Sequence, residues 1–249
     1  GFSQVVQSIS KNKEIKTIMY DGSTDSDCFH KKTESSISDV IIPYPEVENE
    51  KYFKSDENTF HFGLRYFIFD EETYYFSLKE RLHDKARVLI TQGGSDPCHF
   101  SEVVLEVLQK LGDENVPITV TATNSFSSES LLKIKSLVDE NENFHLLMNE
   151  KSLAREIYRS RLVIASTGIT KYECEALGVA SLLLSKNESD EEYHRKLEKN
   201  HCMSYFGSLS KENEDMFLEK VQNLLKSKPN RAHKLDVSGL EMVFNIFKK

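Results

Sequence analysis

The sequence predicts an α/β protein, with a doubly wound parallel-sheet domain over residues 79–249 and a partial α/β domain over residues 1–78 before it. Three observations lead there. From residue 87 onward, short apolar runs of strand length alternate with amphipathic runs, the signature of repeated strand–helix units feeding a parallel sheet. Two of those apolar runs end in glycine-bearing turns, Gln92-Gly93-Gly94-Ser95-Asp96-Pro97 and Ser166-Thr167-Gly168-Ile169-Thr170. Residues 1–75 offer only two or three strands, too few for a free-standing sheet, so they read as part of a domain.

In chain order, Ile15 to Tyr20 and Asp39 to Ile42 read as strands, parted by the polar stretch 21–38 and followed by a charged loop at 46–58. The aromatic run Tyr66, Phe67, Phe69, Tyr74, Tyr75 and Phe76 leads into the charged segment 79–85, which is expected to connect the two parts. Arg87 to Thr91 is a buried strand. Phe100 to Leu111 follows as a helix with Val103, Val104, Val107, Leu108 and Leu111 on one face. Ile118 to Ala122, Phe144 to Leu147, Leu162 to Ala165 and Val179 to Leu184 are the next strands, and helices at Ser128 to Val138, Leu153 to Tyr158 and Thr170 to Leu177 separate them. Glu191 to Lys199 and Lys211 to Lys226 close the series as helices with charged faces.

Composition narrows the function classes. The 249 residues are 39% hydrophobic and 29% charged, as a folded chain should be. A net charge of −8, with no basic run interleaved with aromatics, argues against nucleic acid as a partner. The longest apolar stretch, Val179 to Leu184, is far short of the roughly 20 residues that span a bilayer, so no membrane segment is expected. The four cysteines, Cys28, Cys98, Cys174 and Cys202, are scattered and form no Cys-x-x-Cys pair. Reduced thiols in a cytoplasmic protein are expected, with no zinc site. No secretory leader opens the chain, although a start at Gly1-Phe2 leaves room for residues before it.

The two glycine turns are the candidate sites, because open α/β sheets bind ligands at the carboxyl ends of their strands, near helix amino termini. Adjacent Gly93 and Gly94 let backbone N–H groups approach an anion, and Ser95 adds a hydroxyl. The same residues also read as a plain tight turn with a helix cap. At the second turn, free N–H groups and the helix dipole favour a diphosphate, and Glu173 one turn on can accept both hydroxyls of a ribose. Here the structural alternative is a capping box of Thr170 with Glu173.

Taken together, Gly93-Gly94-Ser95-Asp96-Pro97, then Gly168-x-Thr170-x-Tyr172-Glu173-x-x-Ala176-Leu177-Gly178, then Asn187, then Asp236-x-x-Gly239, resemble the UDP-sugar hydrolases of the pseudaminic acid pathway and their spore-coat polysaccharide relatives. The carboxyl half is similar to the MurG glycosyltransferase, a two-domain GT-B architecture of Rossmann-like domains. The resemblance implies a UDP-sugar substrate and no cofactor or metal. It further implies that Gly168, Ile169 and Thr170 bind the diphosphate, Glu173 the ribose, Gly94 and Ser95 the phosphates or sugar, and Asn187 the sugar. Backbone groups around Leu147 and Met148 would read uracil, and Tyr66 would serve only in packing.

The sequence also departs from the pattern. The family opens with a Gly-x-Gly-His loop whose histidine is the proposed base for activating water, and these residues contain no such loop. Asn187 is followed by Glu188 rather than Gln, and Ala180 replaces a usual Pro. The catalytic residue is therefore unassigned. Either further strand–helix units or a partner catalytic domain supply it, or the protein binds without hydrolysing. His99, beside the first turn, is the nearest substitute, and its other reading is a solvated surface residue. Three functions follow: hydrolysis of a UDP-amino-sugar in surface polysaccharide biosynthesis, MurG-like glycosyl transfer, or non-catalytic binding of a nucleotide sugar.

Overall fold

The computed structural model describes residues 18–20, 38–44, 59–80, 87–111, 116–186, 189–200, 203–227 and 235–248. Asn187, residues 15–17 of the first expected strand, the polar stretches 21–37 and 46–58, and 81–85 of the connecting segment lie outside them. Internal contacts divide the chain into two units, residues 1–69 with 236–249 and residues 70–235.

The first unit holds a three-stranded parallel sheet of β1 (Ile18–Tyr20), β2 (Asp39–Ile42) and β3 (Thr59–Phe62), in that order. The central strand is wholly buried, which suits its unbroken Val-Ile-Ile run. Asp39 at its head is buried as well and is paired with His61 Nε2 at 2.8 Å. A short 3-10 turn, Leu64–Tyr66, follows β3, and Tyr66 packs in a small core with Ile41, Val243 and Ile246. Those last two residues belong to the final helix of the chain, Gly239–Phe247.

The second unit is a six-stranded, all-parallel sheet. Its strands are β4 (Val88–Thr91), β5 (Ile118–Ala122), β6 (Phe144–Met148), β7 (Leu162–Ser166), β8 (Ala180–Leu184) and β9 (Met203–Gly207), and they lie in the order β6-β5-β4-β7-β8-β9. The helices are α1 (Glu71–Ser77), α2 (Phe100–Leu108), α3 (Ser128–Asp139), α4 (Ala154–Arg159), α5 (Thr170–Ala176), α6 (Ser189–Asn200) and α7 (Glu214–Lys226), and the closing helix of the first unit is α8. Side chains on a strand alternate faces, so the apolar runs supply two cores at once. Val88, Ile90, Leu162, Ile164, Leu182 and Leu184 join Val104 and Leu108 of α2, Ile134 of α3 and Phe217 of α7. Leu89, Val163, Ala165 and Leu183 join Ile157 of α4, Cys174 of α5, Leu177 just after it, and Leu197 of α6. Helices on both faces of a parallel sheet make the fold doubly wound.

The expected strands and helices from residue 87 to 226 are all present. Among the described residues, β3, β9, α1, α8 and the 3-10 turn Leu64–Tyr66 lie where the sequence predicts no such element. A division at residue 78 would assign α1 to the first unit and α8 to the second, whereas contacts place them the other way. Phe76 of α1 packs against Tyr158 of α4 with ring centroids 4.9 Å apart, and α8 rests on Ile41 and Tyr66. Among the described residues, no helix is long and apolar enough to cross a membrane.

Candidate functional site

The strand order of the second sheet fixes where a ligand can enter. Successive strands run outward from β4 to β6, and then the chain returns to lay β7 on the other side of β4. At that reversal the connections leave toward opposite faces, which opens a crevice at the carboxyl ends of β4 and β7. Both glycine turns sit there. Two cavities open beside them. One, of about 230 Å3, is lined by Gly93, Gly94, Ile169, Thr170 and Glu173, and by Asp70 and Ser152 from the elements around them. The other, of about 500 Å3, is lined by Gln92, Asp96, Cys98, Ser166, Thr167 and Lys186, with Phe100 and Leu184 as apolar walls.

The first turn is held by its own side chains. Gly93 has φ 75°, a left-handed conformation that glycine adopts without steric cost. The Asp96 carboxylate accepts hydrogen bonds from the Phe100 and Ser101 amides, at 2.9 and 2.8 Å, and so occupies the start of α2 where an anion would otherwise bind. The Thr123 hydroxyl donates to the Gly94 carbonyl at 2.5 Å. Behind it, Asn124 and Asn149 exchange hydrogen bonds of 3.0 and 3.2 Å, which tie the loop after β5 to the loop after β6.

The second turn is built differently. Ile169 is the residue that precedes α5, and no side chain caps the first turn of that helix. Thr170 therefore does not form a capping box, and its hydroxyl instead hydrogen-bonds the Glu173 carboxyl. From below, the buried Lys171 donates through Nζ to the Thr167 carbonyl at 2.8 Å and lies 3.3 Å from Nε2 of the buried His194. The Lys171 amino group is thus anchored beneath the turn, while the exposed Ile169 gives the cavity an apolar wall.

Three carboxyl side chains line the smaller cavity, Asp70, Glu150 and Glu173, and the surroundings of Asp70 and Glu173 push those two groups in opposite directions. Burial raises the Glu173 carboxyl, the nearby Asp70 charge raises it further, and the Thr170 bond only partly opposes them, so its pKa goes from 4.5 to about 7. Asp70 stands at the exposed rim as the cap of α1. Partial burial would raise its carboxyl, but hydrogen bonds from Thr73 and Ser152 outweigh that and hold it below the ordinary value. The Thr73 amide reaches Oδ1 at 2.6 Å and the Ser152 hydroxyl reaches Oδ2 at 2.8 Å.

Of the residues singled out from sequence, Gly94, Ile169, Thr170 and Glu173 converge on this one cavity. Ser95 is exposed on the first turn and Gly168 on the second, and neither is among the residues lining the two cavities. Leu147 and Met148 are the last two residues of β6, and the lining on that side comes instead from residues 150–153 of the following loop. Asn187 lies outside the described residues. His99 is exposed, with its Nδ1 3.0 Å from Glu102, and lines neither cavity. Asp70 and Ser152 escaped the sequence reading because neither belongs to a glycine turn. Asp70 was nonetheless visible as a helix cap followed by Glu71 and Glu72. Among the described residues, no three His, Cys, Asp or Glu side chains are grouped to hold a metal ion.

No protein-family description matches the sequence. An uncharacterized protein of Methanocaldococcus jannaschii is 29% identical over 168 residues, or 63% of this chain and 34% of that protein, so the chain spans about a third of its curated relative. The crystal structure of Acinetobacter baumannii MurG aligns with a TM-score of 0.60 at 14% identity, covering 96% of this chain and 70% of that one. The co-structure of S. aureus MnaA with UDP aligns with the same TM-score, 0.60, at 10% identity, covering 99% of this chain and 77% of that one. At such identities the likeness is one of fold, and the chain has the parallel, two-sheet α/β architecture of the GT-B-like, Rossmann-type proteins.

Proposed function

We propose that this chain supplies the nucleotide-binding part of an enzyme acting on a UDP-sugar, and that the reaction is hydrolysis of a UDP-amino-sugar in surface polysaccharide biosynthesis. The observation that carries this reading is the convergence of Gly94, Ile169, Thr170 and Glu173 on one cavity at the strand reversal. The S. aureus MnaA structure with UDP, which shares the fold, supports it. In this reading the amides of Gly168, Ile169 and Thr170 face the diphosphate, and Glu173 accepts the ribose hydroxyls. Asn187 and the larger cavity serve the sugar. Water adds to the anomeric carbon as the bond to the diphosphate oxygen breaks, and the charge left on UDP is stabilised by N–H dipoles and by Lys171 beneath the turn. We assign no side chain as the base that takes the proton of that water.

The likeness to MurG favours a second reading, transfer of the sugar to an acceptor hydroxyl. UDP release from a UDP-amino-sugar in water alone separates hydrolysis from transfer, because a transferase requires the acceptor. Binding is tested first. A ligand that binds only the native state stabilises it by RT ln(1 + [L]/Kd). UDP should raise the melting temperature more than ADP or GDP at equal concentration, and equal shifts for all three would leave only a generic anion site.

A further inference from the structure

The smaller cavity carries more carboxyl groups than ribose recognition needs. Asp70 and Glu173 line the same 230 Å3 space but belong to different elements, the head of α1 and the first turn of α5. Asp70 cannot turn away to relieve the repulsion, because the Thr73 amide holds one oxygen and the Ser152 hydroxyl the other. The other charged groups near Glu173 have their own places. Lys171 on the same helix is engaged with Thr167 and His194, and Glu175 is buried. Glu156 of α4 pairs with Arg87 at 3.2 Å and Arg159 at 3.5 Å. Arg155 of α4 and Glu71 and Glu72 of α1 are exposed. Glu150 and Lys151, with opposite charges, are exposed on the far wall of the cavity.

We propose that Asp70 is a positioning residue for Glu173: its fixed negative charge, acting together with burial, keeps a proton on the neighbouring carboxyl until the vicinal hydroxyls of a ribose take its place, so that nucleoside binding releases that proton to solvent. The proposal rests on the nucleotide reading given above. A carboxylate accepts two hydroxyl donors, whereas a protonated carboxyl offers a donor of its own to one of them, so the ionised form is the one a ribose selects. Like charges held in one cavity disfavour double ionisation. Burial is the larger cause of the raised Glu173 carboxyl, and the Asp70 charge adds to it.

Titration with UDP-N-acetylglucosamine, whose diphosphate diester has no group that ionises near neutrality, provides the test. In the whole chain, calorimetry in two buffers of different ionisation enthalpy should detect proton release at pH 6 that vanishes by pH 8. Affinity should fall roughly tenfold from pH 8 to pH 6, one pKa unit being a factor of ten. Asp70→Asn retains a good helix cap. It should lower the proton release and raise affinity at pH 6 by roughly threefold, burial still holding part of the proton, with little change at pH 8. A uniform loss of affinity in Asp70→Asn at every pH would overturn the proposal and make Asp70 a direct ligand contact. A wild-type affinity that does not vary with pH would overturn it while leaving the nucleotide reading intact. If no nucleotide binds at all, that reading fails, and a carbon-13 carboxyl titration of the free protein still decides the inference. The Glu173 signal, identified by its loss in Glu173→Gln, should titrate at lower pH in Asp70→Asn, and an unmoved midpoint would overturn the proposal.

Discussion

Glu173 shows how a single residue can serve binding at the expense of folding. Its carboxyl titrates near 7 in the native protein and near 4.5 in the ordinary state, so between those values the folded chain holds a proton that the unfolded chain has lost. The contribution of Glu173 to native stability therefore falls as pH rises from 4.5 toward 7 and levels off above it. Glu173→Gln removes the ionisation and should be more stable than wild type at pH 8, with the difference shrinking toward pH 5, as urea denaturation at the two values would report. Glu173→Ala should weaken UDP binding by about 1.5 to 3 kcal/mol, the range for hydrogen bonds to charged groups. If it instead loses stability and binds UDP normally, Glu173 is a structural residue and not a ribose acceptor. The sequence exposed this residue through its distance from the Gly168 turn. It did not expose Asp70, because chain spacing carries no sign that α1 would bring a second carboxyl to the same cavity.

At the scale of elements, the sequence was most legible where apolar period and length agreed. β4, β7 and β8 are largely apolar runs buried on both faces, and β5, which alternates apolar residues with Thr119 and Thr121, is buried throughout, so all four read as strands from the sequence. α1 was missed because its Tyr-Tyr-Phe core has strand preference, and the Asp70 cap with acidic residues in the first turn outweighs it. β9 was missed because its Met-Ser-Tyr-Phe run is short and borders a charged helix. α8 begins at a position where close approach demands glycine: a Cβ on Gly239 would overlap the Phe67 carbonyl. Gly239→Ala should therefore cost about 1 to 3 kcal/mol, the usual penalty for forced overlap in a packed region, measured as a lowered denaturation midpoint. The spacing from Asp236 to Gly239 acquires a structural meaning, since Asp236 accepts the Ser238 amide at 2.9 Å just before that contact. Asp96→Ala should cost about 0.5 to 2 kcal/mol, because it leaves two buried amides at the start of α2 without their acceptor. A denaturation curve unchanged by this substitution would mean water replaces the carboxylate.

At the scale of the molecule, composition and alternation were enough to give the doubly wound class, and the positions of the two glycine turns were enough to locate the crevice. What they could not give was the strand order, because which strand neighbours β4 is decided by contacts far apart in the chain. That order sets a consequence for motion. β4 and β7 occupy the middle of six strands, each paired on both sides, while β6 and β9 form the edges. The turns that frame the smaller cavity thus spring from strands that have no free edge along which to open. Amide hydrogens of Leu89, Ile90, Val163 and Ile164 should accordingly exchange among the slowest of this unit and change little when a nucleotide is added, whereas those of β9 should exchange faster. A crevice seated on the stiffest part of its sheet selects ligands by rejecting whatever does not fit, since it has little room to remould itself around them.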